Sequence, residues 1–134
     1  MSDAKQVVRT WLEDGLGRGS LSALAESMSP DVVFHGGPVG STRGTDELVA
    51  VVGEYRTAFP DLTVTVHDQI ADGDRVATRF GVEGSNLGDL AGFPPTGNRV
   101  AVEVINIARV EDGQIVEIWS ETDTFHLLEQ LLAD

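Results

Sequence analysis

The chain has 134 residues, enough for one domain that buries roughly two thirds of its unfolded surface. It carries no cysteine, which excludes a disulfide framework, a thiolate nucleophile and a cysteine-ligated metal. Its 22 acids against 9 bases give a formal charge of -13, a field that repels nucleic acid and anionic lipid and favours a neutral or cationic small molecule.

Along residues 4–14, Val7, Val8, Trp11 and Leu12 fall on one helical stripe, and the glycine-rich run from Gly15 to Gly19 stops it. Ser20 is placed to cap a short second helix, Leu21 to Ser27. Val32 to His35 has strand composition, and Gly36 to Gly40 reads as loop. A third helix follows Thr45, with Asp46 and Glu47 in its first turn where the helix dipole favours anions. Its stripe is Leu48, Val51, Val52, Tyr55 and Phe59, and Pro60 ends it.

The period then changes to two. Leu62, Val64 and Val66 share one face of a strand, and Thr63, Thr65 and His67 share the other. A turn over Ala71–Asp74 returns the chain as a strand from Arg75 to Val82. That strand runs into a glycine-punctuated loop closed by Phe93-Pro94-Pro95-Thr96-Gly97. Two more strands, Arg99–Val110 and Gln114–Trp119, are joined by an Asp-Gly turn. A closing helix covers Thr124–Ala133.

Three helices with one short strand, then a meander, predict an α+β fold in which helices cover one sheet face. The expected shape is a cone: a strongly curved, mixed or antiparallel sheet wrapped over the three N-terminal helices. Gly81 and Gly84 are the candidate bends.

Four segments carry a family resemblance. They are Ala58-Phe59-Pro60-Asp61-Leu62, Ala71 to Ala77, the Gly84–Gly97 loop, and Ile107 to Trp119 with Asp123 beyond. In this order they resemble the SnoaL-like polyketide cyclase family of the nuclear-transport-factor-2-like superfamily. The resemblance implies a single domain over residues 1–134 and ring closure by intramolecular aldol reaction without metal or cofactor. It also implies a general acid/base aspartate near the end of the last strand. Asp123 matches that position, and Glu121 is the alternative register. Where the family loop commonly has Gly-Thr-His, this chain has Gly84-Ser85-Asn86; Asn86 donates a hydrogen bond but shuttles no proton. Cofactor-independent hydroxylases, isomerases and hydrolases share the scaffold, so function does not follow from fold.

Each candidate residue has a plainer role beside the catalytic one. Asp123 is equally a helix cap, because Phe125, Leu128 and Leu132 follow it at helical spacing. Glu117, Trp119, Glu121 and Asp123 share strand parity, opposite Val116 and Ile118; Glu117 fits a solvated sheet rim. His35, next to the Gly36-Gly37 turn, is either a proton-transfer group or an ordinary histidine. Tyr55, Phe59 and Trp119 are core or pocket wall, Tyr55 alternatively a donor to an enolate. Arg43 either anchors the loop before the third helix or meets a substrate anion. Leu90 and Phe93 are lid candidates. Glu103 and Asn106 interrupt an apolar strand on opposite faces, and so polar a residue needs a partner or solvent.

No His-x-x-x-His pair, phosphate loop or dinucleotide fingerprint is present, so neither metal nor cofactor is expected. The N-terminus has no basic start followed by an apolar run, and no stretch approaches the roughly 20 apolar residues of a membrane span, so a cytoplasmic location is expected. The expected activity is a cyclase-like reaction on a hydrophobic or aromatic small molecule. A hydroxylase, isomerase or hydrolase is the alternative, and a non-catalytic binding or dimerisation module the third. A homodimer is expected through the outer sheet face, with Thr63, Thr65, Val100, Val102 and Val104 as its neutral surface.

Overall fold

The computed structural model describes residues 3–37 and 40–134; of the run read as loop, Pro38 and Val39 lie outside the described residues. Helix α1 (Ala4–Arg9) starts where the Asp3 carboxylate accepts from the Lys5 N–H. It continues directly into a π-helical stretch, Thr10–Leu16, a rare geometry that is frequent at functional sites. Ser20 caps α2 (Leu21–Ser27), accepting from the Ala23 N–H at 3.2 Å. Helix α3 (Thr45–Ala58) starts after Gly44, and the Thr45 hydroxyl donates to the Ser29 carbonyl at 3.0 Å instead of capping.

Six strands follow the expected order with one addition. They are β1 (Met28–Gly37), β2 (Gly40–Arg43), β3 (Thr63–Asp72), β4 (Arg75–Ser85), β5 (Arg99–Glu111) and β6 (Gln114–Thr122). Their order in the sheet is β2-β1-β6-β5-β4-β3. Every neighbouring pair is antiparallel except β1 with β6, which are parallel.

The expected cone is not found. β2 and β3 stand at opposite ends of an open, uncurled sheet and do not pair with each other. The two glycines read as bends explain the difference, because β4 pairs with β5 in unbroken register through both of them. What they provide is room. A side chain at Gly81 would meet His67 Nε2 at 3.1 Å, and one at Gly84 would meet Phe59 Cβ at 2.9 Å.

Alternation divides the sheet cleanly. Val76, Phe80, Val100, Val102, Val104, Ala108 and Ile118 point to the inner face, where they meet Val8, Trp11, Leu12, Leu48 and Val52 of the helices. Burying them supplies the main stabilising free energy of the fold, at about 25 cal/mol for each Å² of apolar surface removed from water. The outer face of β5 carries Arg99, Ala101, Glu103, Ile105 and Ile107. This corrects one expectation: Val100, Val102 and Val104 are core residues and do not share a surface with the exposed Thr63 and Thr65.

Helix α4 (Thr124–Leu131) buries Leu131 and is tied to the start of β5 by two amides. Gln130 bonds both the N–H and the carbonyl of Ala101, at 2.8 and 3.0 Å, completing the ladder where β6 has ended. The Asn98 amide donates to the carbonyls of Gln130, Leu131 and Ala133, which no helical turn follows. Among the described residues no helix is long and apolar enough to cross a membrane.

Two glycine substitutions test this packing in opposite directions. Gly36 has φ +97°, and a Cβ there would overlap the Ser120 carbonyl of β6. Gly36→Ala should therefore lose about 2–4 kcal/mol in urea unfolding. Gly53 lies in α3 with open space around it, so Gly53→Ala should gain about 0.5–1 kcal/mol.

Candidate functional site

Five inward positions form a polar transect across an otherwise apolar sheet face. Gln69 of β3 stands opposite Thr78 of β4, Thr78 opposite Asn106 of β5, and Asn106 opposite Ser120 of β6, with Gly36 of β1 packed on Ser120. The first two satisfy each other: Gln69 Nε2 donates to Thr78 Oγ1 at 3.2 Å and to the Lys5 carbonyl at 3.1 Å. Asn106 is different. Its residue is 1% exposed, yet neither Oδ1 nor Nδ2 has a hydrogen-bond partner in the protein.

Two other buried atoms share this condition, Trp11 Nε1 and Thr42 Oγ1. Both flank Phe34. Thr42 is its partner across β1 and β2, and the Trp11 ring stands edge-on to it at 6.5 Å between centroids. Phe34 in turn pairs with Ile118, and Ile118 with Ala108, two residues from Asn106 along β5. Thr42 lies on β2 and Asn106 on β5, with β1 and β6 between them, so the unpartnered groups are spread across the inner face. Leaving a buried polar atom unbonded costs about 1–3 kcal/mol, so each of these atoms is a point where a further hydrogen-bonding group would be stabilised.

A separate charged cluster lies on the outer face. Register places His35 beside Trp119, and their rings stack at 5.6 Å. His35 Nε2 lies 2.8 Å from Glu117 Oε2, and Arg109 donates to the other carboxylate oxygen at 3.3 Å. The other ring nitrogen, Nδ1, lies 3.2 Å from the Ser41 hydroxyl. Arg75 sits over the Trp119 ring at 5.4 Å. The His35 hydrogen bond, and then that of Arg109, hold the Glu117 carboxyl below its usual range, which makes it a poor base and a good clamp between β1, β6 and β5.

The remaining candidates are dispersed. Asp123 is exposed and caps α4, accepting from the His126 N–H at 3.2 Å, while Glu121 is exposed on the outer face opposite Ile105. Asn86 is 2% exposed and fully committed. Its Nδ2 donates to the Ala58 and Gly88 carbonyls, and its Oδ1 accepts from the N–H and hydroxyl of Thr96. With both ends used, it fastens the 86–98 loop to the end of α3.

Leu90 and Phe93 pair with each other around a tight turn in that loop; Leu90 is partly buried and Phe93 is 74% exposed. Phe59 is buried in the core, and Arg43 is exposed at the end of β2. Tyr55 is half-buried against the core, where burial and the neighbouring Glu54 charge push its phenol up, so it stays a neutral donor. A shallow recess of about 430 Å³ opens between α3 and the loop, lined by Ala50, Thr57, Asp89 and their neighbours, and the transect does not line it. Among the described residues no group of three or more His, Cys, Asp or Glu is arranged for a metal.

Residues 6–131 match the family model described as SnoaL-like polyketide cyclase. The chain is similar to IdmH of Streptomyces antibioticus, a candidate polyketide cyclase, at 32% identity and a TM-score of 0.85, over 97% of this chain and 99% of that one. It is also similar to AclR of Streptomyces galilaeus, a candidate hydroxylase, at 30% identity and 0.79, over 98% and 85%. TsrD of Streptomyces laurentii aligns over 100% of both chains at 26% identity and 0.87. No curated protein matches.

Replacing an unpartnered amide by an apolar group of similar shape removes its desolvation cost. Asn106→Leu should therefore be more stable than the wild type, by about 1–3 kcal/mol in chemical denaturation; a less stable variant would mean that Asn106 is bonded internally. The Glu117 clamp has the opposite pH signature to a raised group. Because its folded value is depressed, its contribution is present above the unfolded value of about 4.3 and is lost as pH falls through the folded one. Arg109→Ala and His35→Gln should each move the Glu117 midpoint upward in a carboxyl NMR titration.

Proposed function

This chain belongs to the SnoaL-like polyketide cyclase family, and we propose that it is a ring-closing enzyme for a polyketide-like small molecule, bound on the inner sheet face beneath the N-terminal helices. The observation that carries the reading is the Asn106 amide, buried within the sheet with neither end bonded inside the protein. Elsewhere on the same face Trp11 Nε1 is a second unpartnered donor with Phe34 as an apolar neighbour, groups suited to a largely hydrophobic molecule with few polar atoms. Holding such a chain folded turns ring closure into a positioned unimolecular event, and that alone supplies several kcal/mol of the barrier reduction. The net charge of -13 favours a neutral substrate over an anionic one.

Hydroxylation is the second reading, supported by the likeness to AclR. Product mass separates the two, because ring closure leaves an isomer or a dehydrated product whereas hydroxylation adds oxygen. A homodimer through the outer sheet face fits the exposed Ile105 and Ile107 there.

Incubation with linear polyketide-like ketones, with and without oxygen, should give a cyclic product of unchanged or dehydrated mass in both atmospheres. Asn106→Leu should fold and yet lose at least tenfold in kcat/KM. Conversion undiminished in that folded variant would reject the inner-face site.

A further inference from the structure

Helix α4 carries two apolar surfaces, and the fold uses one of them. Leu127 and Leu131 pack toward the core, and Leu131 is buried there. Phe125, Leu128 and Leu132 have the i, i+3 and i+7 spacing of a single helical stripe, and they are 75%, 48% and 74% exposed. Turning the helix to cover the stripe would break its ties to β5. Gln130 holds Ala101 by two hydrogen bonds, and Asn98 holds the carbonyls of Gln130, Leu131 and Ala133. Just before the helix, the Asp123 N–H donates to the Glu103 carbonyl at 3.3 Å. The stripe is therefore a fixed ridge two helical turns long, about 10 Å.

The charge beside this ridge has one sign. Glu121 and Asp123 precede it, Glu129 flanks Phe125 one turn on, and Asp134 follows it; all four are exposed. From Val110 to Asp134 the sequence has no lysine and no arginine. The imidazole on the helix, His126, lies 3.6 Å from Glu129. Arg99, at the start of β5, is engaged by Asp61 and Glu83. Large apolar side chains grouped on an exposed surface and rimmed by charge mark a place of interaction.

From this we infer that α4 is a docking site for a basic amphipathic helix of a partner protein. Such a helix lays its apolar side chains on Phe125, Leu128 and Leu132 and sets lysines or arginines against the flanking carboxylates. The inference is independent of the inner-face reading. A second copy of this chain fits the ridge poorly, since it brings the same four carboxylates and a charge of -13 to the contact. An anionic lipid surface is repelled for the same reason. Opposite charge steers the encounter and sets the register, and the apolar stripe supplies the affinity. A footprint of two helical turns is far below a standard interface, so the complex is a weak, exchanging one.

The test is calorimetric titration of the full chain with a synthetic helical peptide of leucine and lysine, about five turns long, and with its leucine–glutamate counterpart. The lysine peptide should bind, one per chain, and the glutamate peptide should not. Combined replacement Phe125→Ser, Leu128→Ser and Leu132→Ser touches exposed side chains and leaves the charge at -13. That variant should keep the wild-type urea midpoint and bind the lysine peptide at least tenfold more weakly. Leu132→Ser alone should weaken binding about threefold and serves if the triple variant does not fold. Equal binding by a folded stripe variant would leave diffuse charge as the cause and overturn the docking site. No binding of the lysine peptide, or equal binding of the glutamate peptide, overturns it too. Sedimentation of the protein alone and with neutral phosphatidylcholine vesicles tests the rival occupants. A dimer or a vesicle association that the stripe variants lose would make a second copy or a lipid surface the occupant, and would overturn the partner helix.

Discussion

The unbroken register between β4 and β5 is the constraint from which the rest of the molecule follows. Eleven successive pairs, from Arg75 opposite Arg109 to Ser85 opposite Arg99, leave no freedom in which side chains face inward. A slip of one residue would carry Val100, Val102 and Val104 to solvent and Glu103 into the core. The helices have only one apolar surface to cover, and Asn106 is drawn under them because it shares the parity of those valines. Its burial is a consequence of the ladder and not of its own chemistry.

β6 extends this logic to the functional groups. Its pairing with β5 sends Ile118 and Ser120 inward and Glu117, Trp119 and Glu121 outward. The parallel strand β1 then joins, placing Phe34 in the core and His35 against Trp119. Glu117, His35 and Arg109 are therefore paired on the outer face, and the buried polar residues on the inner face, among those described, are amides, hydroxyls and an indole. That segregation is what a low-dielectric interior demands, since an unpaired buried charge costs far more than an unpaired amide.

The loop after β4 is held by one side chain from a segment that carries the family resemblance. At Asn86 the side chain has four partners, and its use is mechanical: it closes the loop against the last turn of α3. Asp123 likewise has a structural use as the cap of α4, which Asn98 and Gln130 then bind to β5. Both residues lie in segments that carry the family resemblance, and neither is presented to the inner face. The likeness to candidate cyclases and a candidate hydroxylase thus extends over the whole scaffold.

Periodicity in the chain determined the helices, every strand but β2 and their order, because alternation and helical spacing are local properties of neighbouring residues. Parity alone split Leu62 to His67 and Glu103 to Asn106 into two faces, and Asn106 already stood out as a polar break in an apolar run, but the face of Val100, Val102 and Val104 was expected outside and lies in the core. Which face was inner for Glu117 to Asp123 was decided only by the pairing of β6 with both β5 and β1, residues distant in sequence. The openness of the sheet was also hidden, since Gly81 and Gly84 look alike whether they bend a strand or admit His67 and Phe59. Partnership of polar atoms is a long-range property, so the satisfied state of Asn86 and the unsatisfied state of Asn106 emerged only when the layers came together.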